Sequence, residues 1–251
     1  MRDELKPARS ALANVGRAAV LLLLCLGLVA CPRPVRPPAP APEVPSQPAP
    51  VQPPPAPTEA GVTFYQIDPR ASVVHIHVYR GGTLARLGHN HVMTSRSVTG
   101  RVWMRAPFAG SGFELSFPVA DLIVDDPDAR RAAGADFPPD IPDSDKDGTR
   151  KNMLREEVLD AQTYPNVTVK SVAVEGSVAA PKITARITIK NASKDVVVPA
   201  SIQMNGDRLT ASGEFDILQT DFGIKPFSVV LGALEVQDRL HVRFNLVAQK
   251  R

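Results

Sequence analysis

The sequence predicts an antiparallel all-β domain set behind an N-terminal segment that is not part of the fold. Three observations lead there. Apolar and polar residues alternate with period two in six or more runs between residues 61 and 251. Turn-rich segments such as Asn205-Gly206-Asp207 separate those runs. Thirteen of the 25 prolines fall within residues 32–60, which leaves an ordinary globular composition for the rest.

The N-terminal part reads in two pieces. Residues 1–17 carry Arg2, Lys6, Arg9 and Arg17, and an apolar run follows from Ala18 to Ala30. A basic start before about a dozen apolar residues is the layout of an export signal. The run is short of the ~20 residues that a spanning helix needs. Its end, Leu28-Val29-Ala30-Cys31, resembles the lipobox of bacterial lipoproteins. That resemblance implies cleavage after residue 30, a lipidated Cys31 and attachment to a membrane of the bacterial cell envelope. Several acyl chains on one residue exceed the two signals that stable anchoring requires. Pro32, rather than Asp, follows the cysteine; this is compatible with sorting to the outer membrane.

Residues 31–60 then form a disordered linker. Proline lacks the N–H that helices and ladders use, so this stretch makes neither. Extended at ~3.1 Å per residue, it reaches on the order of 90 Å. The net charge of +3 divides into +2 for residues 1–30, zero for 31–60 and +1 for 61–251. The basic character therefore belongs largely to the export signal and predicts no anionic partner for the domain. Nucleic acid is excluded as a partner, since no basic stripe with interleaved aromatics occurs. Two cysteines exclude a disulfide framework and a cysteine-based zinc module.

In the domain, residues 61–251, Val74, Ile76 and Val78 alternate with His75, His77 and Tyr79. Phe113, Leu115, Phe117 and Val119 form the next such face. Ile183 to Ile189, Val196 to Ile202, Leu209 to Ile217 and Leu240 to Leu246 follow. One apolar and one wet face per strand fits a barrel or a sandwich. A single short helix is expected over Arg150–Asp160, with Thr149 as its cap and Pro165 beyond its end.

Several strings occur in a set order. They are Tyr65-Gln66-Ile67-Asp68-Pro69, Asn152-Met153-Leu154, Val158-Leu159-Asp160, Tyr164-Pro165, Lys170-Ser171, Val196-Val197-Val198-Pro199 and Asp221-Phe222-Gly223-Ile224. In this order they resemble the YceI-like family of lipid- and polyisoprenoid-binding proteins, over roughly residues 62–248. The resemblance implies a lipocalin-like, eight-stranded antiparallel barrel holding a long apolar molecule, such as an isoprenoid or another lipid. The inward residues of the alternation are then expected to line the ligand: Ile76, Val78, Phe113, Leu115, Phe117, Ile187, Phe215 and Phe244. Each also reads as ordinary core. The family has no motif that fixes ligand contacts.

Two further features suggest metals. Four of the five histidines, His75, His77, His89 and His91, fall within seventeen residues. If the strands that carry them pair, the imidazoles converge and offer ligands for zinc, copper, nickel or iron. Equally, His75 and His77 fill the outward face beside Tyr79, while His89 and His91 brace a loop. Asp143, Asp145 and Asp147, followed by Gly148, match the opening of a calcium loop. The match then fails, because Leu154 stands where a bidentate Glu is needed.

The expected function is a non-enzymatic binding module, an anchored carrier or sensor of an apolar small molecule. A metal-binding envelope protein and a structural lipoprotein with a filled core are the alternatives. Catalysis finds no support: no G-x-S-x-G elbow occurs, and Asp221-Phe222-Gly223 lacks the loops of a kinase.

Overall fold

The structure, a computed structural model, describes residues 61–251. The expected export signal, Cys31 and the linker lie outside the described residues. Among the described residues the chain forms thirteen strands and two α-helices. These are β1 (Val62–Ile67), β2 (Val73–Gly81), β3 (His91–Ser95), β4 (Thr99–Arg105), β5 (Gly112–Pro118) and β6 (Ile123–Val124). Then come α1 (Pro127–Ala133), α2 (Asp143–Met153), β7 (Asn166–Ser177), β8 (Ala180–Ile189) and β9 (Ala192–Val198). β10 (Ser201–Asn205), β11 (Arg208–Leu218), β12 (Ser228–Val229) and β13 (Leu234–Lys250) complete the chain.

Every strand pair is antiparallel, as the alternation requires. β13 organises the sheet. Along one edge it pairs with β11, and along the other with β2 and then β1. From β1 the sheet continues through β4, β5, β7 and β8 to β9. Register shifts between Val236 and Leu240 of β13, and between Ser171 and Ala173 of β7, bend their strands where they occur. The curled sheet packs its inner side chains into one apolar core, with Tyr65, Ile67, Val98, Phe117, Ile187, Leu209 and Leu246 among its buried members.

The hydrogen-bonded path does not close on itself. β9 pairs with β8 and β10 pairs with β11, and the chain passes from one pairing to the other at Pro199 and Ala200. There the backbone comes close to Gly213 of β11. A Cβ on Gly213 would stand 2.1 Å from the Pro199 carbonyl oxygen and 2.9 Å from the Phe244 ring. Neither the corner backbone nor the packed ring can move far, so Gly213→Ala is expected to cost roughly 1–3 kcal/mol of stability in urea unfolding. Gly148, inside α2 with open space around it, is the control. Gly148→Ala is expected to stabilise by about 0.4–1 kcal/mol.

The helical expectation needs correction. Two helices form, and neither spans Arg150–Asp160. α2 begins seven residues earlier, at Asp143, and ends at Met153. Asp143 and Asp145 in its first turn are stabilised by the positive end of the helix dipole, and Arg150 and Lys151 suit its last turn. Residues 154–165 run on in turns instead. α1 is capped by the Asp126 carboxylate, which accepts from Asp128 N and Ala129 N at 3.0 and 2.9 Å, with Pro127 at its first position. It covers the outer face of β2 and β3, where Val92, Ala129 and Phe137 make a second small apolar cluster with Tyr79 and Ala133.

Candidate functional site

The inner faces of the strands enclose a cavity of ≈ 370 Å³. That lies within the ~300–1,000 Å³ usual for small-molecule sites. Its walls follow from the period-two pattern, which sends residues i and i+2 to the same side of a strand. Ile76 and Val78 of β2, Phe113, Leu115 and Phe117 of β5, Ile187 of β8, Phe215 of β11 and Phe244 of β13 all line it. The Phe215 and Phe244 rings meet edge to face, with centroids 6.3 Å apart. The polar side chains in the lining are His91, Thr149, Asn152 and Gln219; no Asp, Glu, Lys or Arg faces the cavity. A charged ligand group held deep inside would lose its hydration and find no countercharge. The cavity therefore suits an apolar molecule whose polar group, if it has one, is uncharged or stays near the rim. Thr149, Asn152 and Gln219 were not foreseen as lining residues. Asn152 falls in the segment expected to be helical, and Gln219 just beyond the alternating run that ends at Ile217.

His75, His77, His89 and His91 do not converge. β2 and β3 do pair, but the register sets His91 opposite Val78 and His77 opposite Val92. Facing residues share a side of the sheet, so His91 looks inward while His75 and His77 look outward. His75 Nδ1 hydrogen-bonds the Thr94 hydroxyl at 3.0 Å. His77 Nδ1 donates to the His241 carbonyl at 3.3 Å, and the ring packs against Phe137. The His89 ring packs edge-on against His91 at 4.9 Å. Among the described residues no group of three or more His, Cys, Asp or Glu side chains is placed to hold a metal. The calcium expectation is corrected likewise. Asp143, Asp145 and Asp147 lie on a helix, not in a loop, and alternate positions there point about 200° apart.

His91 belongs instead to a buried charged group. Its Nδ1 lies 2.6 Å from one carboxylate oxygen of Asp125. The other oxygen accepts from Val92 N at 2.9 Å and from Arg130 Nη1 at 2.5 Å. Asp125 and Arg130 are both 0 % exposed. Arg130 also donates to the Pro138 and Asn90 carbonyls, and its guanidinium lies over the Phe137 ring. Burial pushes the Asp125 carboxyl up, but the hydrogen bonds and charge of His91, with the Val92 amide and Arg130, hold it below the usual carboxylate range. The group ties β3, the end of β6, α1 and the loop at Pro138 together, and so fixes the wall that carries His91.

Burial lowers the affinities of His75, His77 and His89 for protons below the ordinary value of 6.5. Like charge from Arg96 adds to this at His75, and from His91 at His89, whereas the bond to the His241 carbonyl opposes it at His77. Below pH 6.5 the unfolded chain then binds protons that the folded chain refuses. Stability is expected to be fully present above that pH and to fall as pH drops below it, by at most ~1.4 kcal/mol per pH unit for each such proton. Urea titrations between about pH 7.5 and about pH 5, which span the ordinary histidine value, check this. His77→Gln is expected to shallow the slope.

Fold and cavity together define a mostly β protein, a curled antiparallel sheet with two helices around one apolar chamber. The chain belongs to the YceI-like family: the model of the YceI-like domain matches residues 65–248. A solved structure of Burkholderia cenocepacia BcnA aligns with a TM-score of 0.52 at 18 % identity, over 72 % of this chain and 98 % of that one. The two are similar in fold. A polyisoprenoid binding domain from Saccharophagus degradans, implicated in plant cell wall breakdown, aligns with a TM-score of 0.49 at 13 % identity, over 74 % and 98 %. The Campylobacter jejuni YceI protein aligns with a TM-score of 0.44 at 14 % identity, over 62 % and 82 %. No curated protein matches the chain.

Proposed function

We propose that the protein is a lipid-anchored carrier or sensor in the bacterial envelope that binds a long apolar molecule, isoprenoid- or lipid-like, in the cavity. The carrying observation is the chamber itself: a continuous apolar wall with no Asp, Glu, Lys or Arg in it. A filled structural core would pack to near-crystalline density and leave no such space. Membership of the YceI-like family supports the same reading. We also count the sheet as an eight-stranded circuit. In that count β1 with β2, β3 with β4, and β9 with β10 each act as one bent strand around β5, β7, β8, β11 and β13. An eight-stranded barrel has just the interior for one small ligand.

The anchor is Cys31, and the proline-rich linker sets the domain's reach from the outer membrane or the periplasmic face. The domain binds and does not catalyse. The test is solvent extraction of the purified full-length protein followed by mass spectrometry. A long-chain apolar molecule near one per chain is the expected result, and none at all would overturn the reading. For the anchor, Cys31→Ala is expected to release the protein from sedimented membranes.

A further inference from the structure

The β2–β3 connection and the segment leading into β13 lie side by side. Leu84 N donates to the Ala233 carbonyl at 2.7 Å, and a Cβ on Gly82 would stand 2.4 Å from that same oxygen. Arg80 braces the first loop through the Gly88 carbonyl. Together the two segments raise an apolar tip. Leu87 is 75 % exposed and Leu231 108 %, and Leu84 and Val229 stand exposed beside them. Leu231 is held in the left-handed backbone region at φ 55°, which a leucine adopts only at a cost. Other hairpin ends carry the polar residues expected of turns, as at Asn205-Gly206-Asp207 and Lys190-Asn191. An apolar cluster at a loop tip reads as a contact surface.

Charge decides the kind of partner. From Gly81 to His91 the only charged side chain besides histidine is Arg86, and from Gly223 to Leu234 it is Lys225, both exposed; at the base of the tip Arg80 and Glu235 add one charge of each sign and leave the cations in excess. Leucines flanked by isolated cations suit an anionic lipid surface, where apolar groups enter the acyl boundary and cations meet headgroups. The tip also adjoins the chamber, since Phe227 and Val236 at its base line the cavity.

We propose that the paired tips at residues 82–88 and 228–234 dock on an anionic phospholipid surface and set the cavity against it for exchange of its ligand. The purpose of docking rests on the apolar-ligand reading; its test does not. The full-length chain carries Cys25→Ala, Cys31→Ala and Thr83→Cys, with an environment-sensitive fluorophore on that single thiol. On vesicles of phosphatidylethanolamine with phosphatidylglycerol, its emission is expected to shift to the blue. A fluorophore at Asp207→Cys is expected to stay unchanged, so the signal reports the tip and not the N-terminal segment.

Leu87→Ser with Leu231→Ser, both exposed and tolerable for folding, is expected to abolish the shift. Arg86→Glu with Lys225→Glu is expected to weaken it at least about tenfold in the lipid concentration required. No shift on these vesicles would overturn docking, as would an equal shift on phosphatidylcholine alone. A shift that appears with protein concentration and no vesicles would assign the tip to a second copy of the chain. A chain that yields extractable lipid but shows no shift refutes docking alone; a chain that shifts but yields no lipid refutes the cavity reading alone.

Discussion

Asp125→Ala is expected to destabilise the domain by roughly 3–5 kcal/mol, the largest effect of any single change considered. The carboxylate is fully buried and answers three donors, at His91, Val92 and Arg130. Its removal leaves the Arg130 guanidinium, also 0 % exposed, with carbonyl acceptors but no countercharge. The cost is therefore mostly that of an uncompensated buried cation. Asp125→Leu combined with Arg130→Met is expected to recover most of the loss, because well-packed apolar groups often replace a buried pair without penalty. Urea unfolding of Asp125→Leu, of Arg130→Met and of the double variant measures the coupling. A single-variant cost below ~1 kcal/mol would show that the pair is accessible to water. The pH behaviour separates this group from the histidines. The Asp125 carboxyl is held below its unfolded value, so its contribution is present above the usual carboxylate range and is lost as pH falls through the lower, folded value. Histidine effects come first on acidification, and the Asp125 effect later.

Ala211→Phe is expected to cut the amount of retained ligand at least tenfold while leaving the fold in place. Ala211 lines the chamber and faces Leu246 and Ile202 across the strand pairings, so a phenyl ring there enters the cavity and not the sheet. The space exists, which limits the strain of the larger residue to within about 1–3 kcal/mol. Tenfold corresponds to about 1.4 kcal/mol, a modest demand for a ring that occupies the ligand's volume. Extraction and mass spectrometry of the variant read the ligand, and thermal unfolding reads the fold. Val197→Ser, on an exposed outer position of β9, serves as the control and is expected to change neither. Full ligand content in Ala211→Phe would place the binding site elsewhere.

The strand faces were legible because a period of two needs only local sequence. Val74, Ile76 and Val78 point inward for the same reason in any antiparallel sheet. Helix boundaries were less so. The Asp-Pro step at Asp126 and Pro127 is a helix start, but the seven residues after it show no apolar stripe. The reason is Arg130, which reads as surface and is buried through partners 5 to 40 residues away in sequence. The histidines show the same limit from another side. Their closeness in sequence is real, yet a single step of register decides which face of the sheet each joins, and register is a property of two strands. The calcium pattern failed because carboxylates at alternate positions serve a loop and a helix start equally well.

The length of β13 has a consequence for how the domain is made. It is the last of the described strands, and it supplies the neighbours of β1, β2, β11 and β12. Phe64 near one end of the domain accepts a hydrogen bond from Arg251 N, and the Ser72 hydroxyl is tied to Val247. Such pairings, as much as 187 residues apart (251 minus 64), are slow to form and cannot begin until β13 is available. A chain emerging N-terminus first thus leaves these pairings unmade until β13 is released. For the export proposed above, that delay would keep the chain threadable, with the sheet completed only on the far side.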